Sequence, residues 1–145
     1  SDFTGTFTQY ENAAMAPGCV QKPRLPIAVA GNGPRITTMA ARMADTWNAW
    51  IDITDVDEFH RQISERTAML DDYLAEIGRD PKTLTRSLLA LDDAFDAWRD
   101  PGAVPALVEK FAPLGFNEFI FYPPEPRDWK KFLKVGVDVL GSLRG

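Results

Sequence analysis

The sequence has little of the residues on which several kinds of functional site depend. It contains one cysteine, Cys19, and one histidine, His60, among 145 residues. A single cysteine excludes an internal disulfide framework and a multi-cysteine metal site. A single histidine excludes, within one chain, a histidine-based catalytic triad and a multi-histidine metal site. The sequence therefore predicts no metal centre.

The chain also lacks an excess of positive charge and a long apolar run. Sixteen lysines and arginines against 21 aspartates and glutamates give a formal net charge of −5. Nucleic acids and anionic membranes attract basic surfaces, so neither is expected as a partner. No apolar stretch approaches the roughly 20 residues that span a bilayer, and no basic-then-apolar signal opens the sequence. These features predict a cytoplasmic protein of ordinary globular composition.

What the sequence does contain is a repeated order of strand and helix. Residues 1–26 form an irregular lead-in, and residues 27–145 are expected to fold as one domain. Four strands are predicted, at Ile27–Ala30, Thr46–Ile51, Leu84–Leu91 and Phe116–Tyr122. A helix follows each strand, because apolar residues then recur at helical spacing. This alternation predicts an α/β fold with parallel strands, either a small open sheet or the (β/α)4 half of a (β/α)8 barrel.

Local signals place the ends of several helices. Pro34 suits the first turn of the first helix, where its missing N–H has no cost. Thr54 is expected to cap the second helix, and Gly78 to end it in a left-handed conformation. Asp100 and Pro101 are expected to start the third helix. The apolar positions of the first helix are Ile36, Met39, Ala40 and Met43.

The sequence Gly31-Asn32-Gly33-Pro34 joins the first strand to the first helix. Glycines at the carboxyl end of a parallel strand let the backbone approach a ligand or take positive φ. The helix directs its free N–H groups and the positive end of its dipole into the same space, which suits a phosphate. Neither the dinucleotide fingerprint nor a P-loop is complete here. The spacing alone leaves a plain structural turn and an anion site as open alternatives.

Two other groups of residues have both a functional and a structural interpretation. Asp92, Asp93 and Asp96 follow the third strand and could hold a cation or supply a general base, although a solvated loop with a helix cap is favoured. Trp47 and Trp50 are three residues apart on one strand, so they are predicted to face opposite sides. One of them is expected to pack into the interior, and core packing is favoured over stacking on a ligand ring.

Three segments together resemble a known family. Residues 22–50 (KPRLPIAVAGNGPRITTMAARMADTWNAW) join a Pro-Ile strand start to a Gly-rich Gly-Pro-Arg turn, an Ala-Ala-Arg-x-Ala-Asp helix end and a Trp-Asn strand. Residues 76–87 (EIGRDPKTLTRS) and 114–124 (LGFNEFIFYPP) follow. In this order and spacing they resemble the bacterial luciferase-like family of flavin- and deazaflavin-dependent oxidoreductases and monooxygenases. The resemblance runs the full chain and matches strands five to eight of that family.

The resemblance implies the carboxyl-terminal half of a TIM barrel, with a cofactor site at its first strand. In the family, the glycine-rich turn after strand five holds the cofactor phosphate, and a polar residue after strand six often assists. The implied cofactor-binding residues are Gly31, Asn32, Gly33, Arg35 and Asn48. For Arg35, pairing with Asp45 or exposure to water remains an alternative. FMN and coenzyme F420 are both implied and are not distinguishable, because both present a phosphate to the same turn.

The resemblance also implies redox chemistry on a small organic substrate. No catalytic residue is assigned, because in the family the amino-terminal half supplies much of the isoalloxazine pocket and many catalytic groups. The alternative is a non-catalytic half-barrel that binds phosphate or flavin, or one that only completes a barrel by oligomerising. Unpaired first and last strands and an open sheet face predict a homo-oligomer or an amino-terminal half-barrel as partner.

Overall fold

The computed structural model describes residues 1–14, 16–90, 100, 102–138 and 141 of the chain. The strands within these residues are β1 (Phe3–Thr4), β2 (Gln9–Tyr10), β3 (Ala28–Ala30), β4 (Thr46–Ala49), β5 (Thr85–Ala90) and β6 (Glu118–Phe121). The helices are α1 (Pro34–Met43), α2 (Val56–Glu76), α3 (Ala103–Phe111) and α4 (Trp129–Asp138). None of these helices combines the length and the apolar character that a bilayer span requires.

Strands β3 to β6 form a parallel sheet in the order of the chain. A helix follows each strand, so the described residues form four β/α units in succession. This arrangement confirms the α/β fold and is consistent with half of a TIM barrel. Within the described part of the chain, β3 and β6 each pair on one side only and form the two edges of the sheet.

The two faces of the sheet differ in what lies against them. Side chains alternate between the faces along each strand. On one face, here called the covered face, Trp47 and Leu88 are fully buried against α1, α2 and α3. The core includes Ala40, Ala41, Phe59, Ile63, Leu70, Leu74, Leu107 and Phe111. The opposite face, here called the open face, carries a row of register partners: Ala30, Asn48, Ser87 and Glu118.

Helix α1 begins at Pro34 as predicted, but its apolar positions are only partly buried. Thr37, Ala40 and Ala41 face the core. Met39 and Met43 are 40% and 50% exposed, on a flank that no other described element covers closely. The helical spacing was therefore correct, whereas the inferred face includes two residues that lie outside the core.

Helix α2 is capped one residue later than the sequence predicted. The side chain of Asp55 accepts a 2.8 Å hydrogen bond from the Glu58 amide, so Asp55 rather than Thr54 is the N-cap. An aspartate also interacts favourably with the positive end of the helix dipole. After the helix, Gly78 adopts the left-handed conformation that the sequence predicted, with φ of +68°.

The start of α3 also differs from its prediction. The helix runs from Ala103, with Gly102 as its N-cap, and Asp100 accepts a 2.8 Å hydrogen bond from the Gly102 amide instead of capping the helix directly. Pro101 lies outside the described residues. The acidic cluster predicted after the third strand, Asp92, Asp93 and Asp96, lies outside them too.

The lead-in segment contains one element of regular structure. Strands β1 and β2 form a short antiparallel pair, and the rings of Phe3 and Tyr10 stack 5.5 Å apart. The described residues of this segment are exposed, so it contributes little to the core. Arg24, near its end, binds the carboxylate of Asp45 and thereby attaches the segment to the loop between α1 and β4.

Candidate cofactor-binding turn

The two glycines of the turn between β3 and α1 have different structural roles. Gly31 has φ of +141°, and a Cβ atom at this position would lie 2.7 Å from Cγ2 of Ile36. The fold therefore requires glycine there. Gly33 has φ of −79° and ψ of 155°, which any residue adopts, and a Cβ atom at this position would have no neighbour within 4 Å. Neither backbone conformation nor packing explains the glycine at position 33.

The N-terminus of α1 opens directly from Gly33. Thr37 is the first residue whose amide bonds within the helix, at 2.9 Å from the Gly33 carbonyl. Pro34 has no N–H, and Gly33 has no side chain that could cap the helix. The amides of Arg35 and Ile36 therefore lie in the first turn, where a helix supplies no acceptor of its own. These amides and the helix dipole suit an anion.

Strand β4 and the residue after its end, Trp50, hold the turn in place through three hydrogen bonds. The Gly31 amide donates to the Asn48 carbonyl at 3.2 Å. The indole Nε1 of Trp47 donates to the Gly31 carbonyl at 2.9 Å. The Asn32 side-chain amide donates to the Trp50 carbonyl. The segment Trp47–Trp50 thus fixes both the first glycine and the residue that follows it.

The two tryptophans differ in burial, and only Trp47 lies within β4, because the strand ends at Ala49, two residues before the predicted end at Ile51. Trp47 is fully buried, and its ring lies 6.0 Å from that of Phe116 in the core. Trp50 is 41% exposed. Since the buried Trp47 donates its N–H to the turn, it serves both the core and the candidate site, a role that the sequence pattern did not indicate.

Asn32 uses its side-chain amide nitrogen for a bond within the protein. Because the Trp50 carbonyl can only accept, the nitrogen of the Asn32 side chain must face it. The Oδ1 atom of Asn32 is buried and has no hydrogen-bond partner among the described residues. A buried acceptor without a donor is uncommon in folded proteins. The turn therefore carries one unpaired acceptor beside its free amides.

Arg35 and Asp45, which the sequence offered as a pair, do not lie together. Arg35 is exposed in the first turn of α1. Asp45 lies beyond the other end of that helix, where it binds Arg24 and accepts a 2.6 Å hydrogen bond from the Ile27 amide. The Arg24 guanidinium, followed by the Ile27 amide, lowers the pKa of Asp45. Arg35 thus lies at the same end of α1 as the glycine turn, whereas Asp45 lies beyond the other end and is paired with Arg24.

Asn48, the remaining predicted site residue, belongs to a hydrogen-bonded row on the open face. Its Nδ2 atom lies 3.0 Å from Oγ of Ser87, and that Oγ atom lies 3.0 Å from Oε1 of Glu118. Ser87 is fully buried, whereas Glu118 is exposed. Sequence analysis missed Ser87 and Glu118. No pattern singled them out, because β5 (TRSLLA) carries two further polar residues and Glu118 is the first residue of β6.

The Gly-Arg-Asp-Pro segment has a structural role at the far end of α1. Arg79 donates to the carbonyls of Ala41 at 2.9 Å and Ala44 at 2.8 Å. These carbonyls are left without partners where the helix ends, and a cation is favourable at that end. Asp80 in turn accepts from the Lys82 amide at 2.9 Å and starts the turn that leads into β5. This segment therefore supports α1, not the ligand.

A cleft of about 610 Å³ lies near the amino ends of the strands. It is lined in part by Arg86, whose guanidinium binds Asp71 and donates to the Leu114 carbonyl at 3.0 Å. Barrel enzymes place their active sites at the carboxyl ends of the strands, and the amino end serves stability. The buried Arg86 side chain is accounted for by this ion pair, so the glycine turn remains the candidate site.

Of the predicted cofactor-binding residues, Gly31, Asn32 and Gly33 form the turn, and Arg35 lies in the first turn of α1. The backbone carbonyl of Asn48 accepts a hydrogen bond from the Gly31 amide. The described residues contain no group of three or more histidine, cysteine, aspartate or glutamate side chains placed to hold a metal ion.

Comparison with known proteins finds similarity among solved structures. No protein-family model matches the chain, and no curated protein matches it. A similar solved structure is an F420-dependent secondary alcohol dehydrogenase in complex with an F420-acetone adduct, with 14% sequence identity and a TM-score of 0.46. The match covers 93% of this chain and 47% of the other, so the chain spans about half the length of that structure. A likeness of this size says nothing about the ligand of this chain.

Proposed function

We propose that the chain is the carboxyl-terminal half-barrel of a luciferase-like oxidoreductase, and that its glycine turn holds the phosphate of FMN or coenzyme F420. The residues of the site are the turn Gly31–Gly33 with the first amides of α1, together with Arg35 and Asn48. The backbone amides would bind the phosphate oxygens, and Arg35 would add a positive charge. When bound, a flavin or deazaflavin supplies the redox chemistry.

The observation that carries this proposal is the glycine at position 33. Gly31 is explained by its positive φ and by the contact with Ile36. Gly33 is explained by neither; glycine is accepted at an N-cap, but unlike serine or aspartate it has no side chain to bind the free amides. Those amides are then left to water or to a bound acceptor. A phosphate is such an acceptor, and the absence of a side chain at Gly33 leaves room for it.

Substitutions at Gly33 test the proposal with stability and binding measured separately. Gly33→Asp would cap α1 and keep or raise the melting temperature, but its carboxylate would occupy the amides and repel phosphate. Gly33→Asn is the matched control, since it caps without charge. We expect FMN and F420 affinity, measured by fluorescence titration, to fall at least tenfold in Gly33→Asp and less in Gly33→Asn. Equal affinity in the aspartate variant and the wild type would refute the phosphate site.

A second proposal concerns what completes the barrel. The edge strands β3 and β6 lack an outer neighbour among the described residues. Apolar side chains are also exposed on the two outermost helices, namely Met39 and Met43 on α1 and Trp129, Leu133 and Val137 on α4. A neighbouring β/α unit on each side would cover these positions. We propose a second copy of the chain, because a two-fold pair closes both edges at once.

Sedimentation equilibrium tests this second proposal. We expect a dimer for the wild-type chain and a shift towards monomer for Leu133→Glu, which places a charge in the contact. Lys134→Ala, next to it on α4, is the control and should leave the dimer unchanged. A stable wild-type monomer that associates only with a separate amino-terminal half-barrel would contradict the second copy.

A further inference from the structure

The row formed by Asn48, Ser87 and Glu118 has a defined direction of hydrogen bonding. As a carboxylate, Glu118 can only accept. The single hydroxyl proton of Ser87 must therefore point to Glu118, across the 3.0 Å contact with its Oε1 atom. With its proton committed, Ser87 can only accept from Asn48, so the Asn48 amide must turn its nitrogen to Ser87, as observed at 3.0 Å. The carboxylate thus sets the orientation of an amide two strands away.

This orientation decides what Asn48 offers to a ligand. The nitrogen of its side-chain amide faces Ser87 in β5, so Oδ1 lies on the side away from β5. The neighbouring strand on that other side is β3, whose last residue, Ala30, is the register partner of Asn48. The glycine turn starts immediately after Ala30. Asn48 therefore presents an acceptor on the side of the turn, and an acceptor repels a phosphate oxygen.

We propose that Glu118, acting through Ser87, is a positioning residue that makes Asn48 accept a hydrogen bond from a hydroxyl group of the ligand. The proposal rests on the proposed phosphate site and concerns the part of the ligand beyond the phosphate: FMN and F420 are both phosphate esters of a polyol chain, and a hydroxyl of that chain would reach Asn48 when the phosphate lies at the turn. It also changes the role of Asn48 from a phosphate donor to an acceptor for the adjoining chain. The complete burial of Ser87 keeps water from substituting for either bond.

Two small phosphate esters test this inference without any redox reaction. Ribitol 5-phosphate and n-pentyl phosphate have the same five-carbon length and the same phosphate, and only the first carries hydroxyl groups. We expect the wild-type chain to bind ribitol 5-phosphate at least tenfold more tightly, as measured by calorimetry. Asn48→Ala should abolish this preference. Because both esters carry the same charge, their affinity ratio does not respond to general electrostatic changes.

Variants of the row separate positioning from a merely structural role. Glu118→Lys offers only donors, which reverses the row and turns the Asn48 nitrogen towards the ligand, so we expect the preference for ribitol 5-phosphate to fall at least fivefold. Glu118→Gln can still accept from Ser87 and should keep most of the preference. Ser87→Ala should lose it, and Ser87→Thr, which keeps the hydroxyl, should restore it. Glu118 is exposed, so its variants test the idea even if those of the buried Ser87 do not fold.

The outcomes distinguish this inference from the proposed function. If neither ester, inorganic phosphate nor FMN binds to the wild-type chain, the phosphate site itself is wrong, and this inference falls with it. If both esters bind equally and Gly33→Asp weakens both, the phosphate site stands and the role of Asn48 is wrong. If the preference exists but Glu118→Lys leaves it unchanged, Asn48 acts alone and Glu118 is not a positioning residue.

Discussion

The covered and open faces of the same four-stranded sheet are built from different kinds of side chain. On the covered face, Trp47 and Leu88 are fully buried by the helices. On the open face, Asn48 and Ser87, which are the sequence neighbours of Trp47 and Leu88, form a polar row with Glu118. Alternation along a strand produces this contrast, since neighbouring residues point to opposite faces. The residues that stabilise the fold and the residues that are proposed to bind the ligand therefore alternate along the same strands.

The difference predicts that substitutions one residue apart have unlike effects. A change on the covered face removes core packing and should lower the free energy of unfolding. A change at an exposed position of the open face, such as Ala30 or Glu118, should leave that free energy nearly unaltered. Substitutions in the glycine turn are expected to affect both stability and binding. Trp47 of the covered face holds the turn in place, and the amides of the turn are the proposed phosphate ligands.

The largest effect is expected for Trp47→Ala. Loss of this fully buried ring should lower the free energy of unfolding by about 4 kcal/mol, as for other large aromatic residues in cores. Trp47→Phe keeps most of the packing and loses only the N–H donor to Gly31. Ala30→Ser, on the open face, should change stability by less than about 0.5 kcal/mol. Urea unfolding measures all three, and a costly Ala30→Ser would break the contrast between the faces.

The next effect is expected for Arg79→Ala. It removes the donors to the last carbonyls of α1 and should cost about 2 kcal/mol in urea unfolding, within the range for hydrogen bonds to charged groups. Arg79→Lys retains the charge at the helix end but not the planar set of donors, so it should fall between wild type and alanine. A lysine variant less stable than the alanine variant would argue against this capping role.

The two glycines of the turn provide a smaller and more selective comparison. Gly31→Ala places a Cβ atom against Ile36 at positive φ and should cost about 2 kcal/mol of stability. Gly33→Ala meets open space and should cost less than about 1 kcal/mol, through its weaker N-cap. Thermal unfolding of the two variants measures the difference. Equal losses would mean that Gly33 also has a structural role.

The smallest effect on stability is expected for Glu58, in the first turn of α2. Hydrogen bonds from Arg61 and then Gln62 lower the pKa of Glu58 from 4.5 to about 2. A carboxylate with a lowered pKa in the folded state stabilises the protein above its unfolded-state pKa. This stabilisation is therefore complete above pH 4.5 and lost as the pH falls towards 2. Stability of Glu58→Gln measured by urea unfolding should differ from wild type at pH 6, and the difference should vanish at pH 2.

Much of the fold could be predicted because its determinants are local. Pro34 and Gly78 have the roles that their backbone preferences indicated, and Trp47 packs in the core as expected. The predictions failed where two adjacent residues could each cap the same helix, or where packing against other elements determined which residues are buried. Thr54 and Asp55 are adjacent capping residues, and geometry selected the second. Met43 lies on the helical stripe of α1 but outside the core that the other elements form.

The candidate site was less predictable, because its supporting contacts join residues that are distant in sequence. The turn itself was visible in the Gly-Asn-Gly-Pro sequence. The bond from Asn48 to Ser87 spans 39 residues, and that from Ser87 to Glu118 spans 31. Sequence patterns show that each of these residues is polar, but only strand register places them side by side. The same limit applies to Arg79, whose acceptors lie on another helix.

The hydrogen bond from the Trp47 indole to the Gly31 carbonyl has a consequence for the kinetics and entropy of binding. Since the ring is fixed in the core, the turn is already ordered before any ligand arrives. A pre-organised loop loses little conformational entropy on association. We therefore expect fast, one-step association for ligands of this turn, whereas Trp47→Phe would introduce a slower ordering phase and a larger entropic penalty.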